Sequence, residues 1–227
     1  MEMLKTTLCY YFPILEALRE PQVVRELNHL FKFHEKIPAE LHRINLTGEV
    51  AVLEWCQHPH YVIKIIDAEA FKTITYYHVR DGRFPVEEDS LELRVKVADQ
   101  MRKIIQQEGL DCLHVPQKWK FSHGVVAEKL DLLSWGETEK KIKTLPIQKQ
   151  KALLSQIWKL VYLTGHQDLC RNFLLMKDGR IAFYDTEPYG VTLEKVENLR
   201  PQAMRSFLSA PFFSEKLKLE VIQDFFK

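Results

Sequence analysis

Residues 164–185 read TGHQDLCRNFLLMKDGRIAFYD, and this stretch carries most of the information about the fold. It follows residues 147–164, whose apolar side chains recur at helical spacing, and it contains two short apolar runs around a Lys-Asp-Gly-Arg turn, which predict a β-hairpin. Asp168 and Asn172 lie in the loop between helix and hairpin, and Asp185 ends the second strand. The pattern therefore places three side chains that handle metals or protons on a loop and a strand end, which is how a phosphoryl-transfer site is built.

The composition is that of a globular chain that can build its own core. The chain has 227 residues, of which 46% are hydrophobic and 28% are charged, and 32 basic residues nearly balance 31 acidic ones. This balance gives no support to the binding of nucleic acid through bulk charge, and no apolar run is long enough to predict a membrane span. The four cysteines form no CxxC pair, so we expect reduced thiols in the cytoplasm, with neither a zinc site nor a disulfide framework.

The order of the apolar patterns predicts an α+β chain with two lobes. Helical spacing covers residues 2–20, 22–33, 86–108 and 147–164, and strand-like patterns cover most of 39–80, including 72–79, and segments around 112–115 and 124–128. The C-terminal residues read as helical, broken by Pro201 and Pro211. We therefore predict an N-terminal helical extension at 1–38, a small antiparallel-sheet lobe with one helix at 39–130, and a reduced, mostly helical lobe at 131–227.

Several motifs of this chain, and the order in which they occur, resemble those of the protein-kinase-like superfamily. Residues 166–169 (HQDL) resemble the start of the catalytic loop, and Asn172 resembles its metal-binding asparagine. Asp185 opens an Asp-Thr-Glu triplet that stands where the DFG triplet would. The resemblance implies a two-lobed protein-kinase-like fold that binds ATP and Mg²⁺. It also implies Asp168 as the catalytic base, and Asn172 and Asp185 as metal ligands.

The resemblance also assigns residues upstream of this loop. Residues 61–64 (YVIK) resemble the strand whose lysine pairs with the α- and β-phosphates, so Lys64 is the candidate phosphate partner. The helix at 86–108 stands for the helix that supplies a glutamate to this lysine, and either Glu92 or Glu88 is the candidate. Residues 125–130 resemble the strand-to-hinge segment that binds adenine through backbone groups, and its implied contact residues are Glu128, Lys129 and Leu130.

Departures from the family pattern keep more than one function open. Asp168 and Asn172 are separated by three residues in place of the usual four. Gly48 is the single glycine of the segment that would cover the phosphates, and Asp-Thr-Glu replaces DFG. The retained lysine, aspartates and asparagine favour a kinase-like phosphotransferase acting on a protein hydroxyl. The alternatives are a small-molecule kinase of the aminoglycoside-phosphotransferase type, a pseudokinase that binds or scaffolds without turnover, and a structural α+β domain. The N-terminal helices are candidates for binding a regulatory partner.

Overall fold

The computed structural model describes residues 20–32, 38–44, 50–66, 90–166, 169, 173–186 and 196–227. Its fold is α+β with two lobes, as the sequence predicts, and each lobe has its own cluster of buried apolar side chains. The strands in these ranges are β1 (Leu41–Arg43), β2 (Val50–Trp55), β3 (Tyr61–Ile66), β4 (Leu113–His114), β5 (Lys118–Phe121), β6 (Gly124–Glu128), β7 (Phe173–Leu175) and β8 (Ile181–Phe183). The helices are α1 (Gln22–Phe31), α2 (Ser90–Gln107), α3 (Trp135–Thr144), α4 (Ile147–Thr164), α5 (Val196–Leu208) and α6 (Glu215–Phe225). Of these helices, none has the length and apolar character needed to cross a membrane.

The first lobe is a five-stranded antiparallel sheet in the order β1-β2-β3-β6-β5, with helix α1 packed on one face. Because side chains alternate along a strand, this face gathers apolar residues such as Leu53, Ile63 and Phe121. Helix α1 covers them with Leu27 and Phe31, both buried. The pattern predicts this helix over 22–33 in an N-terminal extension. The structure ends it at Phe31 and makes it part of the core of the small lobe.

The opposite face of the sheet carries lysines. In the register of the sheet, Lys64 of β3 lies beside Val125 of β6, and Lys120 of β5 lies on the other side of that valine. Lys118 follows on the same face, because residues two apart in a strand point the same way. Charged side chains therefore line the sheet on the side away from α1.

Helix α2 belongs to both lobes. It packs against β5 of the sheet, and its Ala98 and Met101 are buried in the core of the second lobe. Arg94 lies one helical turn before Ala98 on the same stripe and is also buried, with 8% of its surface exposed. The helix, which the pattern predicts over 86–108, therefore delivers an arginine to the junction between the lobes.

The second lobe is mostly helical and contains a three-stranded sheet in the order β4-β8-β7. Strands β7 and β8 form the predicted hairpin, and β4 pairs in parallel with β8 on its other edge. Helix α4 has the predicted bounds, and its Leu154, Ile157 and Trp158 have no exposed surface. Because β8 is hydrogen-bonded on both edges, the chain that leaves it toward Asp185 starts from a fixed position.

Two elements are present that the sequence analysis does not predict. Strand β5 occupies Lys-Trp-Lys-Phe, in which polar and apolar side chains alternate as they do in a half-buried strand. Helix α3 begins after Ser134, whose side chain forms a capping box with Glu137. Ser-x-x-Glu is a sequence signature of a helix start, so this helix could have been found from the chain alone.

The C-terminal helices differ from the prediction at one point. Pro201 lies inside helix α5, where the sequence predicts a break. Proline removes one backbone hydrogen bond, but Ala203 and Phe207 of the same helix are completely buried, so packing holds the helix together. The predicted break at Pro211 does fall between α5 and α6. The predicted strand at 72–79 and residues 2–19 of the predicted helix at 2–20 lie outside the described residues.

Gly124 is a position where the small lobe has no room for a side chain. A Cβ there would overlap the carbonyl oxygen of Lys64 and would lie 2.9 Å from Phe121 Cε1. We expect Gly124→Ala to lower the free energy of unfolding by about 1–3 kcal/mol, because backbone must shift to make room.

Gly136→Ala is the matched control for this change. A Cβ at Gly136, in helix α3, would meet nothing within 4 Å. We expect this variant to be neutral or more stable by up to about 1 kcal/mol, since alanine favours a helix over glycine. Urea unfolding of both variants measures the difference, and equal stability of the two would contradict the expectation.

Candidate functional site

A carboxylate, a lysine and an arginine meet where the two lobes join. Asp185 follows β8, Lys64 comes from β3, and Arg94 comes from helix α2. Asp185 Oδ1 lies 3.7 Å from Lys64 Nζ and 3.7 Å from a terminal nitrogen of Arg94. The structure therefore brings together two residues that the sequence analysis assigns to one site, the phosphate lysine and a metal-binding aspartate.

Asp185 is ionised in spite of its burial. Burial by itself raises the pKa of the Asp185 carboxyl group, but Lys64, Lys118 and Arg94 lower it, and the net pKa is below the ordinary value. Its Oδ1 atom is shielded from solvent and has no hydrogen-bond partner among the described residues. An ionised carboxylate oxygen is the type of ligand that a hard divalent cation prefers. Asp185 therefore offers one ligand of the kind that Mg²⁺ prefers.

Helix α2 presents an arginine to the cluster, and Glu92 points elsewhere. The Glu92 carboxylate lies 3.3 Å from Lys96 Nζ and 4.0 Å from Lys120 Nζ, and 53% of its side chain is exposed. Two residues along a helix turn by about 200°, so Arg94 and Glu92 point in nearly opposite directions. The expected ion pair between Glu92 and Lys64 is not formed in this structure. The rival residue Glu88 lies outside the described residues.

A chain of two hydrogen bonds holds the residue that follows Asp185. Lys118 Nζ donates to Thr186 Oγ1 at 2.7 Å, and Thr186 Oγ1 donates to the backbone carbonyl of Arg94 at 3.1 Å. Lys118 and Thr186 are both buried. The sequence predicts no role in the site for either residue. Lys118 lies on the strand that was not predicted, and Thr186 is noticed there only as a departure from DFG.

Hydrogen bonds hold His166 and Leu169, two described residues of the segment that precedes the hairpin. The backbone N–H of His166 donates to Thr164 Oγ1 at 3.3 Å, and that of Leu169 donates to Ser206 Oγ at 3.1 Å. His166 and Leu169 are both buried. Asp168 itself, the predicted base, and Asn172, the predicted second metal ligand, lie outside the described residues. His166 and Leu169 come immediately before and after residues 167–168 in the chain.

Acid should destabilise the fold through His166. Burial lowers the pKa of His166 to about 4; Asp185 raises this pKa and Lys118 lowers it, both less strongly than burial. Because the imidazole binds a proton more readily in the unfolded chain, with an ordinary pKa of about 6.5, stability falls as pH decreases from about 6.5 to about 4. Between pH 7 and pH 5 we expect this residue to remove about 2 kcal/mol from the free energy of unfolding.

His166→Gln tests this expectation, because glutamine does not titrate in this range. Urea unfolding at pH 7 and at pH 5 should show a smaller loss of stability in the variant than in the wild-type protein. A pH dependence that is the same in both proteins would show that His166 is not the group responsible.

The predicted adenine contacts lie at the end of β6, and two of them use their backbone donors within the chain. The N–H of Glu128 donates to the carbonyl of Gln117 at 3.0 Å, and that of Lys129 donates to the carbonyl of His60 at 2.8 Å. Leu130 is the predicted contact whose backbone N–H has no partner within the described part of the chain. If adenine binds at this segment, Leu130 is therefore the residue that offers it a free donor.

A cavity of about 620 Å³ lies on the other side of the sheet. It is lined by the start of α1, by the turn before β3, and by Trp119, Glu128 and Lys129. The rings of Tyr61 and Trp119, 5.8 Å apart, both line it and belong to the face that α1 covers. Lys64 points to the opposite face, so this cavity is separate from the Asp185 cluster.

Asp185 is the predicted metal ligand that the structure describes. Within the described ranges, no group of three or more histidine, cysteine, aspartate or glutamate side chains is arranged to hold a metal. Mg²⁺ in nucleotide sites, however, commonly uses one or two protein carboxylates and takes its other oxygens from phosphates and water. Asp185 can supply that carboxylate, with Asn172 as the predicted second ligand.

Comparisons with known proteins leave the family unassigned. The sequence matches no protein-family model and no curated protein. Among solved structures, the chain is similar to Rv3197 from Mycobacterium tuberculosis, in a structure described as its complex with erythromycin. The two chains are 14% identical with a TM-score of 0.36, and the match covers 89% of this chain and 73% of the other. A likeness of this strength identifies neither a family nor an activity.

Proposed function

We propose that this protein is an ATP- and Mg²⁺-dependent phosphotransferase of the protein-kinase-like type, with a protein hydroxyl as its acceptor. The observation that supports this most directly is the distance of 3.7 Å between Lys64 Nζ and Asp185 Oδ1. The two residues come from different lobes, and the chemistry requires such a pair, one side chain for the phosphates and one for the metal.

The chain's own residues would contribute position and charge. Lys64 would bind the nucleotide phosphates, and Arg94, 3.7 Å from the same carboxylate oxygen, adds a second cation beside it. Asp185 and Asn172 would hold Mg²⁺, which supplies positive charge next to the transferred phosphoryl group. Asp168 would accept the proton of the attacking hydroxyl group. The catalytic contribution is then mainly orientation and charge neutralisation.

A binding protein without turnover is the second candidate, and one observation favours it. Two of the three predicted adenine contacts, Glu128 and Lys129, have backbone donors that are already bonded within the chain. A site of this kind could accept a nucleotide in an arrangement that does not lead to transfer. Such a pseudokinase would show binding of ATP but no product.

Incubation with Mg²⁺ and γ-labelled ATP separates these functions. The protein is incubated alone, with a cell lysate and with an aminoglycoside, and thermal unfolding is followed with and without ATP. Label on protein supports the proposal, and label on the aminoglycoside supports the small-molecule kinase. Thermal stabilisation by ATP without transfer supports the pseudokinase. If ATP neither stabilises the protein nor is used for transfer, all three functions are contradicted.

A further inference from the structure

The residue after Asp185 is connected to both walls of the junction by one buried hydroxyl group. Thr186 Oγ1 accepts a hydrogen bond from Lys118 of strand β5 and donates one to the main-chain carbonyl of Arg94 in helix α2. Thr186 has no exposed surface, and Lys118 has 4%. The guanidinium group of the same Arg94 reaches Asp185. Strand β5, helix α2 and residues 185–186 are thus linked to one another through these contacts.

We infer that Thr186 and Lys118 are positioning residues, which hold Asp185 at the junction of the lobes before any ligand binds. The role of Asp185 as a metal ligand rests on the proposed function, but the fixing of its position does not. In regulatory terms, the inference means that Asp185 already occupies its position in the site in the ligand-free protein. No conformational change is then needed to place Asp185 beside Lys64.

The chemistry of the hydroxyl group explains why this position suits threonine. A hydroxyl is both donor and acceptor, and Thr186 uses both roles, one toward an ammonium group and one toward a carbonyl. A bond in which the donor is charged is stronger than one between neutral groups, and burial removes competing water. An apolar side chain of the same shape could fill the space but could make neither bond.

The experiment compares Thr186→Val with Thr186→Ser, which keeps the hydroxyl group, and with Lys118→Met. Thr138→Val is the matched control, because Thr138 is also fully buried and its Oγ1 accepts a hydrogen bond from the Leu175 N–H at the turn end of the β7–β8 hairpin, the end opposite Asp185. Backbone hydrogen exchange of residues 183–186 is measured by NMR in the ligand-free protein. The Mg²⁺ concentration that gives half-maximal ATP-dependent transfer is measured in parallel.

We expect Thr186→Val and Lys118→Met to speed exchange at these residues by about tenfold, and Thr186→Ser and Thr138→Val to change it by less than about threefold. The same two variants should raise the half-maximal Mg²⁺ concentration, and the two others should not. If exchange behaves as expected but the wild-type protein transfers no phosphate, the proposed function fails and the positioning role stands. Exchange in Thr186→Val that matches Thr138→Val would overturn the inference, whatever the activity.

Discussion

Asp185→Asn is expected to lower ATP-dependent phosphotransfer by about a thousandfold or more, because it removes the anionic oxygen proposed to bind the metal. It should also lower the free energy of unfolding, since an amide cannot neutralise Lys64 and Arg94. Breaking a fully buried ion pair costs about 3–5 kcal/mol, and with 22% of this side chain exposed we expect about 1–3 kcal/mol. Initial rates at saturating Mg²⁺ and urea unfolding measure the two effects.

Asp178→Asn provides the matched control for this variant. Asp178 lies in the turn between β7 and β8, is exposed, and pairs with Arg180 at 2.7 Å. The same chemical change there should leave the rate within about twofold of wild type, because the pair is on the surface. A fully active Asp185→Asn protein would remove the aspartate from the mechanism.

Lys64→Met is expected to lower kcat/KM for ATP by about a hundredfold or more, because it removes the cation proposed to bind the phosphates. It should also raise the pKa of Asp185, for which Lys64 is the strongest of the cations that lower it. Steady-state rates over a range of ATP concentrations measure the first effect.

Lys120→Met tests whether the position of the lysine matters or only its charge. Lys120 lies on the same face of the sheet as Lys64, on the far side of Val125, and its ammonium group lies 4.0 Å from Glu92. We expect this variant to keep kcat/KM within about threefold of wild type, because Lys120 is not among the cations that lower the pKa of Asp185. Equal losses in the two variants would indicate a general effect of charge on the face and would contradict a specific role for Lys64.

The local elements were predictable because their determinants are close together in the chain. Helix α4 has an unbroken apolar stripe, and the hairpin turns at Gly179, whose φ of 96° suits glycine. The proximity of Lys64 and Asp185, in contrast, depends on residues that are far apart in the chain. No local pattern joins residues so far apart, and the expectation came from the order of motifs that resemble one family.

The parts of the site that were missed depend on contacts between elements. Arg94 continues the apolar stripe of Ala98 and Met101, so its burial could have been predicted from the helical spacing. The spacing does not show that its partner is Asp185. Glu92 is a candidate in the sequence analysis because the resemblance implies that a glutamate of this helix meets Lys64. Thr186 and Lys118 meet only because β5 lies at the edge of the sheet beside α2, and sequence spacing does not contain that information.

Helix α2 is shared by the two lobes. Its apolar stripe is buried in the core of the second lobe. It also packs against β5, the edge strand of the first-lobe sheet. If the two lobes move apart, α2 must therefore slide along one lobe or the other. Such a movement is shear and not rotation about a free hinge. Such a movement would also change the 3.7 Å distance between Lys64 of the first lobe and Asp185 of the second, since the two residues belong to different lobes.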